Sequence, residues 1–266
     1  MIGQARLRNE IVALGSKFPR FSIIVGESGK RTLAEFIAET LKADYVICGI
    51  SVDDVREIIE MSYQIQQLVV YVFPNVDKMS TGGKNALLKI TEEPPASAYF
   101  ILTVKNKENL METLFSRGTV FELDPYSKEE IREFVMKSGL SIQGDLKLFY
   151  ALCNNMQDAI NLSGVNVDDL RDFAKNVATN VTSTQGKDIF GFITQLKLKE
   201  TGTGFAPYYV FRTIQQYFAQ KVKETKDLKY TKAVKVTGEC LEDLAKSFNK
   251  LGTIDKWIFD VREVLK

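Results

Sequence analysis

Short apolar runs at 21–25, 45–48, 68–73, 99–104 and 119–122 alternate with stretches of helical spacing, which restricts the first 123 residues to an α/β unit on a mostly parallel sheet. The helical stretch 52–66 opens with Ser51, Asp53 and Asp54, residues suited to a helix start, and spaces Val55, Ile58, Ile59 and Ser62 along one face. The stretch 81–92 repeats this with Ala86, Leu87 and Ile90 until Pro94-Pro95 stops it. At Asp124-Pro125-Tyr126-Ser127 the pattern changes, and almost everything beyond is helical. Ser127, with Glu130 three positions on, forms a capping box for 128–137. A small helical module runs to Ser163-Gly164, and long amphipathic runs such as 208–223 and 241–251 read as a helical bundle. The expected division is 1–123, 124–165 and 166–266.

Between the first apolar run and the helical stretch 32–41 lies Gly26-Glu27-Ser28-Gly29-Lys30. A working phosphate-binding loop reads G-x-x-x-x-G-K-[ST]: backbone N–H groups cradle phosphates, the lysine meets the β- and γ-phosphates, and the hydroxyl ligates Mg²⁺. Here the loop from Gly26 is two residues short, and Arg31 stands where the hydroxyl belongs, with Thr32 one step late. Alone, the fragment reads equally as a glycine-containing turn; the flanking strand and helix favour a degenerate loop whose remnants are Gly26, Gly29 and Lys30. The run 68–73 should end in an acidic pair that holds Mg²⁺ and positions water, yet Pro74-Asn75 follows it. Asp77, two residues past that pair, reads as a turn or helix-capping carboxylate.

A chain of 266 residues holds two or three domains, and its 45% hydrophobic and 26% charged content are those of a globular protein. A formal charge of +1 supplies no global drive for tight, non-specific binding to nucleic acid. Cys48, Cys153 and Cys240 are too far apart for a CxxC site and read as reduced, buried thiols. Histidine is absent, which removes the commonest general base and zinc ligand. No metal site and no membrane span is expected, and the location expected is the cytoplasm.

The phrases Ser51-Val52-Asp53-Asp54-Val55-Arg56-Glu57-Ile58, Val76-Asp77-Lys78-Met79, Asn85-Ala86-Leu87-Leu88-Lys89, Glu92-Glu93-Pro94-Pro95 and Ser116-Arg117-Gly118 arrive in a fixed order. In that order they resemble the AAA+ subunits of bacterial DNA polymerase III clamp loaders, whose phrases read V-Y-I-I-D-E-A-D-K-M, N-A-L-L-K-x-x-E-E-P-P and S-R-C. The resemblance is strong over about 1–123 and architectural beyond. It implies a P-loop-type parallel-sheet domain, a small helical lid at 124–165 and a helical collar at 166–266 that joins subunits into a ring. The family's acidic pair falls on Pro74 and Asn75, its Mg²⁺ hydroxyl on Arg31, its polar sensor on or near Lys105 and its phosphate-sensing lid arginine on Gln157. Arg117 matches the arginine finger that reaches the ATP of an adjacent subunit, and Gly118 replaces the family's cysteine. The zinc module common between the second strand and the next helix has no room between Cys48 and Ser51.

A dead site with a retained finger resembles the delta-prime subunit. The resemblance implies a non-catalytic subunit without ATP or Mg²⁺ of its own, in a DNA polymerase III assembly with gamma/tau-type motor and delta subunits. The sliding clamp and primer-template DNA would be met through that assembly. Two alternatives stay open: a weakly active motor-type ATPase in which Lys30 and Asp77 do the work, and a clamp-opening delta-type subunit. Arg117 read by itself, without the surrounding phrases, is usually a solvated surface arginine or a partner in a weak salt bridge. The aromatic group Phe205, Tyr208, Tyr209, Phe211, Tyr217 and Phe218 is expected in the core more than at an interface.

Overall fold

The computed structural model describes residues 2–183, 205–246 and 249–266. Contacts divide the chain into two compact units, Met1–Phe134 and Val135–Lys266.

The first unit is built on a parallel sheet of β1 (Phe21–Val25), β2 (Asp44–Ile47), β3 (Val69–Phe73), β4 (Ala98–Val104) and β5 (Thr119–Glu122) in the order β2-β3-β4-β1-β5. The inner strands β3, β4 and β1 are buried at every residue, as continuous apolar runs such as Val69-Val70-Tyr71-Val72-Phe73 require when helices cover both faces. Strand alternation sorts their side chains. Ile23, Tyr71, Phe73, Phe100 and Leu102 face α3 (Val52–Gln64), α4 (Thr81–Glu92) and the short α5 (Glu112–Phe115), where they meet Val55, Leu87, Ile90 and Leu114. Ile24, Val70, Val72, Tyr99 and Ile101 face the other way, towards Leu7 and Ile11 of α1 (Ala5–Leu14) and Leu33 and Ile37 of α2 (Lys30–Leu41). This is the expected α/β architecture on a parallel sheet.

Local signals set the helix ends. Ser51 and Asp54 form a reciprocal capping box at α3. Ser80 accepts from the Gly83 N–H at α4, and Ser127 and Glu130 exchange hydrogen bonds of 3.1 and 2.8 Å at α6 (Lys128–Ser138). Helix α2 starts at Lys30, earlier than the apolar spacing suggests, so the lysine belongs to the helix's first turn.

The second unit contains α7 (Leu146–Leu152), α8 (Met156–Leu162), α9 (Val167–Ser183), α10 (Pro207–Thr225), α11 (Leu228–Lys246) and α12 (Lys250–Leu265). The run 241–251, read from sequence as one amphipathic helix, is instead divided between the end of α11 and the start of α12, which Asn249 caps through the Gly252 N–H; residues 247–248 lie outside the described residues. Tyr209, Phe211 and Phe218 of the aromatic group are buried, whereas Phe205, Tyr208 and Tyr217 are half-buried. Trp257 packs edge-on against Phe211 at 4.7 Å and donates its indole N–H to the Thr237 hydroxyl at 3.0 Å, so its polar tip is satisfied inside the bundle. Cys48, Cys153 and Cys240 are buried free thiols. Among the described residues no helix is long and apolar enough to cross a membrane.

Candidate functional site

Parallel pairing brings the strand ends to a common carboxyl edge, with Val25 level with Val104 and Glu122, and Phe73 with Leu102. The segments that follow carry Gly26 to Lys30, Pro74 to Lys78, Lys105, and Leu123 to Tyr126. Open α/β sheets hold ligands at this edge.

The loop is satisfied from within. Gly26 donates its N–H to the Val104 carbonyl, and the Lys30 ammonium bends back to the carbonyls of Gly26 at 2.6 Å and Glu27 at 3.2 Å. Gly29 has φ +87°, and a Cβ there would run into the hydroxyl of Tyr126, so the turn needs glycine twice over. Lys105 extends from the end of β4 to the Glu27 carboxylate at 2.9 Å. Arg31 turns to solvent and pairs with Glu35 one turn along α2. Asn75 takes the left-handed conformation, φ +51°, and donates its N–H to the Thr103 hydroxyl at 3.0 Å.

Asp77 is a turn residue, one of the two roles its position in the sequence offered. It lies within a 3₁₀ turn, Val76–Lys78, while Ser80 caps the helix that follows, and its Oδ1 is buried without a hydrogen-bond partner. Burial lowers the pKa of Lys30, and the Asp77 charge opposes that shift, so the carboxylate stands within electrostatic reach of the loop lysine. Lys30, Lys105, Asp77 and Glu27 therefore form a balanced group of two cations and two anions. Nothing in local spacing signalled Tyr126 or Glu27 as its members.

AAA+ chemistry would place Mg·ATP at this edge. Its phosphates would have to break the lysine contacts, enter beside two carboxylates and bind Mg²⁺ without a hydroxyl after Lys30. The residues present do not fit the group.

Arg117 sits elsewhere. It immediately precedes Gly118 and β5, hence lies at the amino edge of the sheet, separated from the loop by the length of a strand, about 13 Å at ~3.3 Å per residue. Its Nη1 donates to the Thr113 carbonyl at 2.9 Å and its Nη2 lies 3.6 Å from the Glu92 carboxylate, with 40% of the side chain exposed.

The family model for the DNA polymerase III delta subunit matches residues 17–127. Subunit delta' of Haemophilus influenzae is 35% identical over 111 residues, 40% of this chain and 33% of that protein. Residues 17–127 are thus similar to subunits of DNA polymerase III, delta' among them. Subunit gamma of Buchnera aphidicola from Schizaphis graminum is 34% identical over 120 residues, 42% of this chain and 33% of that protein. The matches thus span about a third of these relatives' length. A solved gamma subunit-related protein of Thermotoga maritima covers 98% of this chain and 99% of its own at 19% identity and TM-score 0.53, a likeness of fold alone.

Within this α/β unit, Gly118 is fixed by packing. A Cβ there would stand 2.6 Å from Ile23 Cδ1 and 3.0 Å from Phe21 Cε1, both core side chains of β1. Gly118→Cys is expected to cost about 1–3 kcal/mol through overpacking, and Ile23→Val in the same chain should recover part of it. Equal denaturation midpoints for Gly118→Cys and the parent chain would refute the close approach.

In the second unit Gln157, which the resemblance sets against the family's phosphate-sensing arginine, is exposed and bonds Asn161 on its own helix at 2.9 Å. The next residue carries more weight. Asp158 accepts from the Asn154 N–H at 2.8 Å and the Tyr209 hydroxyl at 3.0 Å, and lies 3.5 Å from Arg212. The Asp158 and Arg212 side chains are only 9% and 11% exposed, and Arg212 also donates to Asn154 Oδ1. Burial and the neighbouring carboxylate push the Tyr209 pKa upward, so its hydroxyl remains a donor. Asn155 caps α8 by accepting from the Asp158 N–H at 3.0 Å, a local bond, whereas the Tyr209 and Arg212 partners of Asp158 lie 51 and 54 residues away, beyond what local spacing can signal.

Proposed function

We propose that the chain is a non-catalytic, delta-prime-like subunit of a sliding-clamp loader, which lends Arg117 to the ATP of a neighbouring motor subunit. The carrying observation is the separation of the two landmarks: the loop lies at the carboxyl edge and Arg117 at the amino edge. An arginine so placed has no path to its own loop and is available to a partner. Supporting it, Lys30 and Lys105 are engaged by the loop itself.

On this reading 124–165 is the lid and 166–266 the collar that joins gamma/tau-type and delta subunits in the cytoplasm, with clamp and primer-template DNA met through the assembly. The isolated chain is expected to hydrolyse no ATP above background, because the Mg²⁺ ligand, acidic pair and both sensing groups are replaced at Arg31, Pro74, Asn75, Lys105 and Gln157. Adding the chain to motor and delta subunits should raise clamp- and DNA-stimulated ATPase. One feature favours the motor-type alternative, the Asp77 carboxylate within electrostatic reach of Lys30 and its Oδ1 buried without a hydrogen-bond partner. Mg²⁺-dependent turnover by the isolated chain that vanishes in Lys30→Ala would establish that alternative and overturn the proposal.

A further inference from the structure

We infer that Glu92 is a positioning residue for Arg117, holding the guanidinium in place before a neighbouring nucleotide arrives; this rests on the finger role just proposed. Glu92 is the last residue of α4, and Arg117 follows α5, so two separate elements meet at the amino edge of the sheet. The contact is Nη2 to Oε1 at 3.6 Å, while Nη1 is held by the Thr113 carbonyl at 2.9 Å. Both terminal nitrogens are thus restrained, and the remaining N–H donors are left for an incoming anion. The end of α4 is itself tied down: the Tyr63 hydroxyl of α3 donates to the Glu93 carbonyl at 2.9 Å. The negative end of the helix dipole adds to the attraction for the guanidinium.

The purpose of such a cradle follows from the side chain it holds. A free arginine carries rotamer entropy that must be lost when it engages a phosphate. Glu92 and Thr113 remove much of that freedom in advance, which is preorganisation of a charge aimed at the transition state. The Glu92 carboxylate is 66% exposed, so it can yield as the phosphate arrives without leaving a buried charge behind.

The test uses the full chain reconstituted with motor and delta subunits, clamp and primer-template DNA, with ATP hydrolysis resolved at the neighbouring site. Glu92→Ala is expected to lower kcat at that site about fivefold with KM unchanged, the scale of one exposed charge pair. Glu92→Gln, which keeps an acceptor, should retain most of the rate, and Glu92→Lys should fall below alanine. On an Arg117→Ala background each Glu92 substitution should be silent. Loss of rate in Arg117→Ala with full activity in Glu92→Ala and Glu92→Lys overturns the positioning role and leaves the finger intact. A Glu92 effect that persists without Arg117 also overturns it. If Arg117→Ala itself changes nothing, the finger reading fails first and the inference falls with it.

Discussion

Arg117→Ala is expected to leave the chain folded and able to join the loader, yet to slow hydrolysis at the one neighbouring site by ~10³-fold or more, the scale of arginine fingers supplied in trans. The folding side of this expectation comes from exposure. Arg117→Ala loses a 3.6 Å ion pair to an exposed glutamate and an exposed hydrogen bond to the Thr113 carbonyl, each worth about 1 kcal/mol at most. The catalytic side comes from what a planar guanidinium does for charge developing on a transferred phosphoryl group. Arg117→Lys should rescue poorly, since an ammonium lacks the fork. Total turnover falls only in part, because other sites keep their own fingers; single-turnover hydrolysis or clamp loading is the sharper readout. Unchanged loading by an assembled Arg117→Ala complex would reduce the residue to a surface arginine.

The largest stability effect is expected in the helical unit, at Asp158→Ala. Removing this carboxylate strands the Arg212 guanidinium, 11% exposed, and leaves the Tyr209 hydroxyl without its acceptor. Breaking a buried pair from one side costs about 3–5 kcal/mol. Trp257, the chain's single tryptophan, is buried in the same unit, so its fluorescence during denaturant unfolding reports the loss directly. Asp158→Asn keeps an acceptor and should cost less. Pairing Asp158→Ala with Arg212→Met should recover much of the loss, because the stranded charge is then absent. A midpoint unmoved by Asp158→Ala would mean the buried pair contributes nothing.

Legibility followed the range of the interactions. The sheet was readable because burial on both faces demands unbroken apolar runs: 21–25 coincides with β1, and 68–73 and 99–104 come within one residue of β3 and β4. The helix start at Ser51 and the capping box at Ser127 were readable because their partners lie three residues away. The break between α11 and α12 was missed because 241–251 keeps an apolar rhythm across it, and Asn249 gives only a weak cap signal. Asp77 was legible as a turn residue, but position along the chain said nothing of its carboxylate standing within electrostatic reach of Lys30. The missing groups Arg31, Pro74 and Asn75 were visible in sequence, but their replacement by a self-paired lysine network depends on strand ends meeting in space. Only the fold brings Lys105 to Glu27.

The placement of loop and arginine on opposite edges of one parallel sheet gives the subunit a polarity. In a head-to-tail row, each member would present a nucleotide on one flank and a guanidinium on the other, and such a row has a sense of direction. On the proposed reading this chain can give an arginine but has no triphosphate on which to receive one. It therefore has a place only at a terminus of the row, where a donor is wanted and a recipient is not. Substituted into an interior position it would interrupt the relay, and a ring containing it would keep a marked start.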